Sequence, residues 1–208
     1  MFNGLIEARG AVFELAPIPD GFRIMVTTPL AASLVLGESI AVNGVCLTVV
    51  ETDSKMFQAE ISPETLRVTA LGTLQAGRVV NLERPMLADA RVGGHFVLGH
   101  VDGVGRVSGI RRESDFHRVT VTFPTALASY LVNKGSVAVD GISLTVAALE
   151  KDNFMAQVVP FTWEHTNLSN KAIGETVNLE CDIIGKYVAR VMEIGDFISP
   201  LRAEEQDD

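Results

Sequence analysis

Two eleven-residue segments of the sequence carry potentially reactive side chains at matching positions. Residues 39–49 read SIAVNGVCLTV and residues 136–146 read SVAVDGISLTV, so the first has Cys46 where the second has Ser143. A thiol or hydroxyl close to an ionisable side chain such as Asp140 is typical of nucleophilic and acid-base chemistry. The glycines alone are explained more simply, because Asn-Gly and Asp-Gly are common hairpin turns. For Asp140 and Ser143 we favour a functional role.

A second candidate cluster lies in residues 91–103, which read RVGGHFVLGHVDG. His95, His100 and Asp102 invite a metal site, but the spacing of the two histidines is not a common ligand pattern. A glycine-rich connector with a structural histidine is one alternative. The other is that His95 and His100 are delivered to a cleft as hydrogen-bond donors or proton carriers. A hydrolase triad of Ser143, His100 and Asp140 could also form, although no Gly-x-Ser-x-Gly motif supports it.

The two reactive segments belong to a longer internal repeat with an offset of 97 residues. The same offset aligns residues 63–66 with 160–163 and residues 80–83 with 177–180. A register kept over about 45 residues indicates a tandem duplication. We therefore predict a first domain with its connector at 1–96, a second at 97–184 and an unrepeated tail at 185–208.

Short alternating segments dominate both halves. Residues 22–27, 57–61 and 117–123 alternate between apolar and polar side chains, and glycines punctuate them at regular intervals. Several short strands in about 90 residues indicate a small barrel or sandwich in each half.

Helical signals are few. We predict short pieces at 29–34 and 124–131, and a turn that Ser62 caps with Pro63 in the first helical position. In the tail, residues 186–194 place Tyr187, Val188, Val191, Met192 and Ile194 on one broad face. An isolated helix of this length is marginal in water, so we expect this face to bury against another subunit, with a frayed acidic end after it.

Composition narrows the class of protein. Lysine plus arginine number 17 and aspartate plus glutamate 26, which gives a net charge of −9, and mean hydropathy is +0.26. A chain this apolar folds, and its acidic balance argues against a nucleic-acid partner. Its apolar stretches are too short to span a membrane. Two distant cysteines and no visible signal peptide indicate a cytoplasmic protein.

Taken together, the motifs of both halves resemble the riboflavin synthases of the alpha-chain type. The resemblance is carried by residues 1–7, 41–49, 62–66, 80–85, 93–103, 137–145 and 164–168. It implies an all-β fold of two tandem six-stranded antiparallel Greek-key barrels, followed by a helix that holds a homotrimer.

The resemblance also implies an activity and its partners. The enzyme would be a transferase acting on two molecules of 6,7-dimethyl-8-ribityllumazine per site. One gives a four-carbon unit to the other, yielding riboflavin and 5-amino-6-ribitylamino-uracil without a metal or other cofactor. The site would form between the first barrel of one subunit and the second barrel of its neighbour. Association with lumazine synthase is a further expectation of the resemblance.

The resemblance assigns residues to these roles. The catalytic set would be Cys46, His95, His100, Asp140 and Ser143. One lumazine would contact Gly4, Leu5, Ile6, Cys46, Leu47, Thr48, Glu60, Ile61, Ser62, Pro63, Glu64 and Thr65. The other would contact Gly99, His100, Val101, Lys134, Ser143, Leu144, Thr145, Gln157, Val158, Val159, Pro160, Phe161 and Thr162. Phe2 and Ser39 would also bind substrate.

Three positions depart from the family pattern, and other readings compete with it. Asn3 stands where threonine is usual, and Phe161 and Trp163 make the second Pro-x-Thr turn unusually aromatic. A non-catalytic lumazine or flavin carrier of the same fold is the main rival. A flavin-dependent reductase is a third reading, but the chain is too short for an added nicotinamide domain.

Overall fold

Two antiparallel sheets related by the internal repeat account for most of the chain in this computed structural model. The structure describes the backbone of residues 1–204 and the side chains of residues 1–194. The first sheet comprises β1 (Ala8–Ile18), β2 (Gly21–Thr27), β3 (Ser39–Val42), β4 (Val45–Thr52), β5 (Met56–Ile61) and β6 (Val79–Glu83). The second comprises β7 (Gly103–Glu113), β8 (Phe116–Thr122), β9 (Ser136–Val139), β10 (Ile142–Thr145), β11 (Ala148–Leu149), β12 (Asn153–Val158) and β13 (Thr176–Cys181).

The first sheet is a closed barrel with strand order β1-β2-β5-β4-β3-β6. Strand β2 lies beside β5 rather than beside β3, which is the Greek-key arrangement. Alternate side chains of these strands point inward, so Ile24, Ile40, Phe57 and Leu82 form a core that is sealed from solvent. The predicted six-stranded barrel is confirmed in this half.

The second sheet has seven strands in the order β10-β9-β13-β7-β8-β12-β11. Its end strands β10 and β11 follow each other in the chain and correspond together to β4. At the equivalent point β4 contains a bulge between Val49 and Glu51. In the second half the ladder is interrupted at this point. The Val146 nitrogen donates to the Gly135 carbonyl, as that of Val49 does to Glu38, and the Ala147 nitrogen then donates to the Met155 carbonyl of β12. This half is therefore a barrel-like sheet with one divided strand, where six continuous strands were predicted.

The predicted short helical pieces are present in altered form. Residues 29–34 and 124–131 form the 3₁₀ helices Pro29–Ser33 and Thr125–Tyr130. Ser62 caps α1 (Pro63–Val68), and its hydroxyl oxygen accepts a hydrogen bond from the Thr65 nitrogen at 3.1 Å. In the second half α2 (Pro160–His165) is the counterpart of α1. Two further 3₁₀ helices are Ala70–Thr73 and Asn167–Asn170.

The tail forms α3 (Ile183–Glu204), which begins two residues before the predicted boundary. Its predicted apolar face is exposed within this single chain, Tyr187 and Val191 being 68% and 67% accessible. The last part of the predicted acidic end, residues 205–208, lies outside the described residues. Among the described helices, none combines the length and apolarity that a membrane span requires.

The two Asn/Asp-Gly turns meet back to back where the barrels join. An added Cβ on Gly44 would lie 2.5 Å from the Gly141 nitrogen, and Asn43, Gly44, Asp140 and Gly141 all have positive φ. The side chain of Asn81 donates to the carbonyl of Asp140 at 3.0 Å, and that of Asn178 donates to the carbonyl of Asn43 at 2.8 Å. We call this contact the seam; it fixes one barrel against the other through buried polar groups.

Candidate active site

Two short segments that precede the barrels, residues 2–6 and 97–101, lie side by side; we call them the first and second arms. The peptide nitrogen of Phe2 donates to the Val97 carbonyl at 2.7 Å, and that of Val97 donates back at 3.1 Å. Both side chains are fully buried. The arms are related by the duplication with a shift of 95 residues, and they pair with each other through an antiparallel bridge.

Each arm lies on the reactive residue of the opposite barrel. The Ser143 nitrogen donates to the Gly4 carbonyl at 2.8 Å, and the Cys46 nitrogen donates to the Gly99 carbonyl at 3.0 Å. This pairing differs from the grouping that the resemblance implies, in which the first arm shares a lumazine with Cys46 and the second arm with Ser143. The crossing of the arms depends on tertiary contacts, which the order of residues along the chain does not reveal.

His95 contacts Ser143 directly. Its Nδ1 lies 2.7 Å from the Ser143 hydroxyl oxygen, and the side chain is only 7% exposed. Burial lowers the pKa of His95, so the ring is held in its neutral form. A neutral ring that accepts the serine proton at Nδ1 carries its own proton on Nε2, which is buried without a partner among the described residues. Ser143 therefore has a base beside it, and that base is His95 and not the His100 of the considered triad.

The side chain of Asp140 lies at the seam. It does not lie beside Ser143, with which the resemblance groups it in the catalytic set. One of its carboxylate oxygens accepts from the Asn178 nitrogen at 2.8 Å. The other accepts from Asn167 at 2.8 Å and pairs with the Lys171 ammonium at 2.8 Å. The carboxylate is 1% exposed, and all three partners belong to the second half of the chain. Two of them, Asn167 and Asn178, bond in turn to Asn43 of the first half, so Asp140 supports the seam indirectly and does not contact Ser143.

The duplication explains why Asp140 can be charged where Asn43 is neutral. Lys171 ends the 3₁₀ helix Asn167–Asn170, and at the same point of the first half the helix ends at Leu74. The ion pair of the second half thus replaces an amide and a leucine in the first. The charge of Asp140 is therefore balanced within the second half by Lys171.

Two buried glutamates that sequence analysis did not single out hold the arms. The carboxylate of Glu83 accepts from the nitrogens of Asn3 at 2.6 Å and Gly4 at 3.0 Å. Glu180, its counterpart, accepts from the nitrogens of Leu98 at 2.6 Å and Gly99 at 2.9 Å. Burial raises the pKa of Glu83 to about 7, against the effect of those N–H groups, and also raises that of Glu180. The sequence signal that could have identified these two glutamates is their matching position in the repeat, near the end of a buried strand.

The remaining candidate residues take varied positions. Cys46 is a half-buried free thiol beside the second arm, and His100 is exposed on that arm. The Lys134 ammonium donates to the Ala147 carbonyl at 3.1 Å. Asp102 pairs with Lys186 at 2.6 Å and accepts from the Cys181 nitrogen, which removes it from a metal site with the histidines. Within the part of the chain that has described side chains, no three His, Cys, Asp or Glu residues gather as metal ligands.

The expected ribityl- and ring-binding residues lie on adjoining elements. In the first half they occupy β4, the end of β5 and the start of α1, where Glu60 pairs with Arg23 at 2.6 Å and Leu47 and Ile61 face the core. In the second half they occupy β10, the end of β12 and the start of α2. There Phe161 is exposed and its ring stacks on His165 with centroids 4.0 Å apart.

Asn3 and Trp163, two of the departures from the family pattern, have defined surroundings. Asn3 is buried, and its side-chain nitrogen donates to the Arg91 carbonyl at 3.3 Å. Trp163 stacks on His117 with ring centroids 3.9 Å apart and an interplanar angle of 5°. The stacking gives His117 a packing role beside α2.

Comparison with known proteins defines the class of this duplicated barrel. The lumazine binding domain family matches twice, over residues 3–85 and 98–182. A structure of LumP complexed with riboflavin superposes with a TM-score of 0.82 at 25% identity, covering 87% of this chain and 99% of that one. LumP complexed with 6,7-dimethyl-8-(1'-D-ribityl) lumazine gives a TM-score of 0.79 at 25% identity, with the same coverage of both chains.

Curated relatives narrow the class further. The riboflavin synthase of Mycobacterium tuberculosis (strain ATCC 25618 / H37Rv) is 43% identical, covering 92% of this chain and 98% of its own. Those of Bacillus subtilis (strain 168) and Schizosaccharomyces pombe (strain 972 / ATCC 24843) are each 40% identical, covering 92% and 98% of this chain and 90% and 100% of their own. The chain belongs to the riboflavin synthase family.

Proposed function

We propose that the protein is a riboflavin synthase, a transferase that converts two molecules of 6,7-dimethyl-8-ribityllumazine into riboflavin and 5-amino-6-ribitylamino-uracil. The observation that carries the proposal is the 2.7 Å contact of Ser143 with the buried, neutral His95. A carrier needs only a binding pocket. A hydroxyl group with a base beside it can act in nucleophilic or acid-base catalysis. The 40–43% identity to riboflavin synthases supports the same conclusion.

The chemistry requires a proton to leave a ring methyl and a nucleophile to add at the neighbouring ring carbon. In this proposal His95 accepts the Ser143 proton as that hydroxyl adds or activates a water, while Cys46 and His100 act at the other lumazine. The first arm and Ser143 belong to one pocket, and the second arm and Cys46 belong to the other. Holding two reactants together removes a bimolecular entropy cost of about 7 to 11 kcal/mol.

The test of the function uses the purified protein and the lumazine alone. Riboflavin fluorescence should grow, with one riboflavin formed for every two lumazines consumed and no added cofactor. A carrier of the LumP kind would bind the lumazine without consuming it. Absence of riboflavin formation at substrate concentrations that saturate binding would reject the enzyme.

Replacing His95 with Gln is expected to lower the turnover rate about 100-fold, because the serine loses its base. In the unmodified enzyme the part of the acid-side loss of rate that belongs to His95 should lie below the usual histidine pKa, since burial lowers the pKa of His95 and its neutral form is the active one. The pH profile of kcat measures both effects. The rival result is a variant that keeps both the rate and the acid limb.

We propose that α3 joins three copies of the chain, as the family resemblance implies. Its exposed apolar face flanks a cavity of about 550 Å³ against the second barrel, lined by Tyr130, Val132, Val188 and Met192 among others. A covering subunit would remove this apolar surface from water. The proposal includes a cytoplasmic location, which the free thiols of Cys46 and Cys181 support. Association with lumazine synthase stays a prediction.

Changing Val191 to Glu is expected to dissociate the trimer, because the charge would be buried in the apolar contact. Light scattering measures the mass, and Arg190→Glu, on a neighbouring exposed position, is the control that still assembles. If Val191→Glu keeps the mass of the unmodified assembly, α3 is not the assembly element.

A further inference from the structure

We propose that Glu83 and Glu180 are positioning residues, each of which fixes one arm against the reactive residue of the opposite barrel. Glu83 would set the first arm on Ser143, and Glu180 would set the second arm on Cys46. The inference rests on the proposed function for its meaning in catalysis. Its geometry, however, can be tested without substrate.

The burial of these carboxylates calls for an explanation. Each is only 3% exposed and lies next to a fully buried leucine near the end of its strand. A carboxylate is costly to bury unless its oxygens are bonded. Here both oxygens of each accept from consecutive peptide nitrogens of one arm. The same costly arrangement occurs in both halves, which indicates that holding an arm requires two acceptors in this geometry.

Each arm transmits its position directly to the reactive residue. Gly4 and Gly99 have φ of +72° and +81°, and an added Cβ would lie 2.6 Å from the Ser143 Cβ and 2.5 Å from the Cys46 Cβ respectively. With no side chain between them, the arm and the backbone of the reactive residue are in contact. A displacement of an arm must therefore displace or uncover that residue.

The carboxylate and the residue it positions belong to different barrels. Glu83 ends β6 of the first barrel and acts at Ser143 in β10 of the second, while Glu180 in β13 acts at Cys46 in β4. This crossing predicts that the two glutamates affect different pockets. A general contribution to folding would affect both pockets alike.

Glutamine is a close probe because it has the shape of glutamate but only one acceptor oxygen. Its NH₂ group would face the second arm nitrogen as donor against donor. In Glu180→Gln we expect the second arm to loosen and Cys46 to react at least about threefold faster with iodoacetamide at pH 8. Cys181 does not interfere, because burial raises its pKa to about 12. In Glu83→Gln, Cys46 should react at the unmodified rate.

The second measurement follows the kinetics of riboflavin formation. Glu83→Gln is expected to lower kcat about tenfold with a smaller change in KM, because misplacement of Ser143 affects the chemical step more than binding. Glu150→Gln, at an exposed glutamate between β11 and β12, is the control that should change neither readout. Melting temperature and far-UV circular dichroism confirm that each variant is folded.

Three results would overturn the proposal. One is Cys46 reactivity that is unchanged in Glu180→Gln, or raised equally by both variants. Another is a Glu180→Asp protein, with the carboxylate withdrawn by one methylene, whose Cys46 keeps the unmodified rate. The third is failure of all these variants to fold, which would assign the glutamates to stability. Alkylation needs no lumazine, so a protein that makes no riboflavin would reject the function and leave this test valid.

Discussion

Replacing Lys171 by Leu is expected to destabilise the folded protein by about 3 to 5 kcal/mol, because Asp140 would be left as an unpaired buried charge. The ammonium of Lys171 lies 2.8 Å from that carboxylate, and the two side chains are 10% and 1% exposed. Water cannot replace the lost partner at such a depth. Urea denaturation at neutral pH measures the loss as a lower transition midpoint.

The first half of the chain supplies the matched control. At the positions of Asp140 and Lys171 it carries the neutral residues Asn43 and Leu74, although Asn167, which donates to Asp140, is matched there by Ala70. The double variant Asp140→Asn/Lys171→Leu should therefore recover part of the loss, with a coupling energy of about 2 kcal/mol or more. Losses that simply add would show that the charges act independently and that the pair is not what holds this side of the seam.

Gly44→Ala is expected to be the second most damaging change, and it should act by forcing the barrels apart. At Gly44 the new Cβ must meet both a positive φ of +75° and the backbone of Gly141 at 2.5 to 2.8 Å. Backbone cannot rotate away as a side chain can. The strain of the conformation costs about 1 to 2 kcal/mol, and the collision should add about 1 to 3 kcal/mol as overpacking does.

Gly37→Ala separates these two contributions. Gly37 has a similar φ of +84°, but nothing lies within 4 Å of the position of its Cβ. It should lose only the conformational part, so the difference in unfolding free energy between the two variants measures the contact at the seam. Equal losses in the two variants would mean that the barrels adjust to the extra carbon without cost.

Local patterns were reliable wherever local physics decides the structure. Alternation identified strands such as β2, β5 and β8, since one face of each strand is buried. Ser62 caps α1 as its type and the following Pro63 indicated. The division of the second barrel at β10 and β11 was not predicted, because Val49 and Val146 stand at the same place in nearly identical segments, and only their surroundings decide between a bulge and a break.

Position in the repeat was a weaker guide to function. Asp140 lies three residues from Ser143 along the chain, yet the turn at Gly141 points its carboxylate into the seam while β10 directs Ser143 to His95. In the sequence, Glu83 and Glu180 look like ordinary residues near the ends of strands. Only the tertiary structure shows that peptide nitrogens of the arms donate to their carboxylates. These contacts join residues that are 27 to 82 positions apart, and no local pattern encodes them.

The sequence alone establishes the duplication, the all-β class, the cap at Ser62 and, through its motifs, the family, because each is written in the types and spacing of neighbouring residues. The tertiary structure decides which histidine serves Ser143, what Asp140 holds, and which barrel each arm covers. Those are questions of which distant groups come together, and burial answers them: a buried carboxylate or imidazole must find its partner wherever the folded chain brings one.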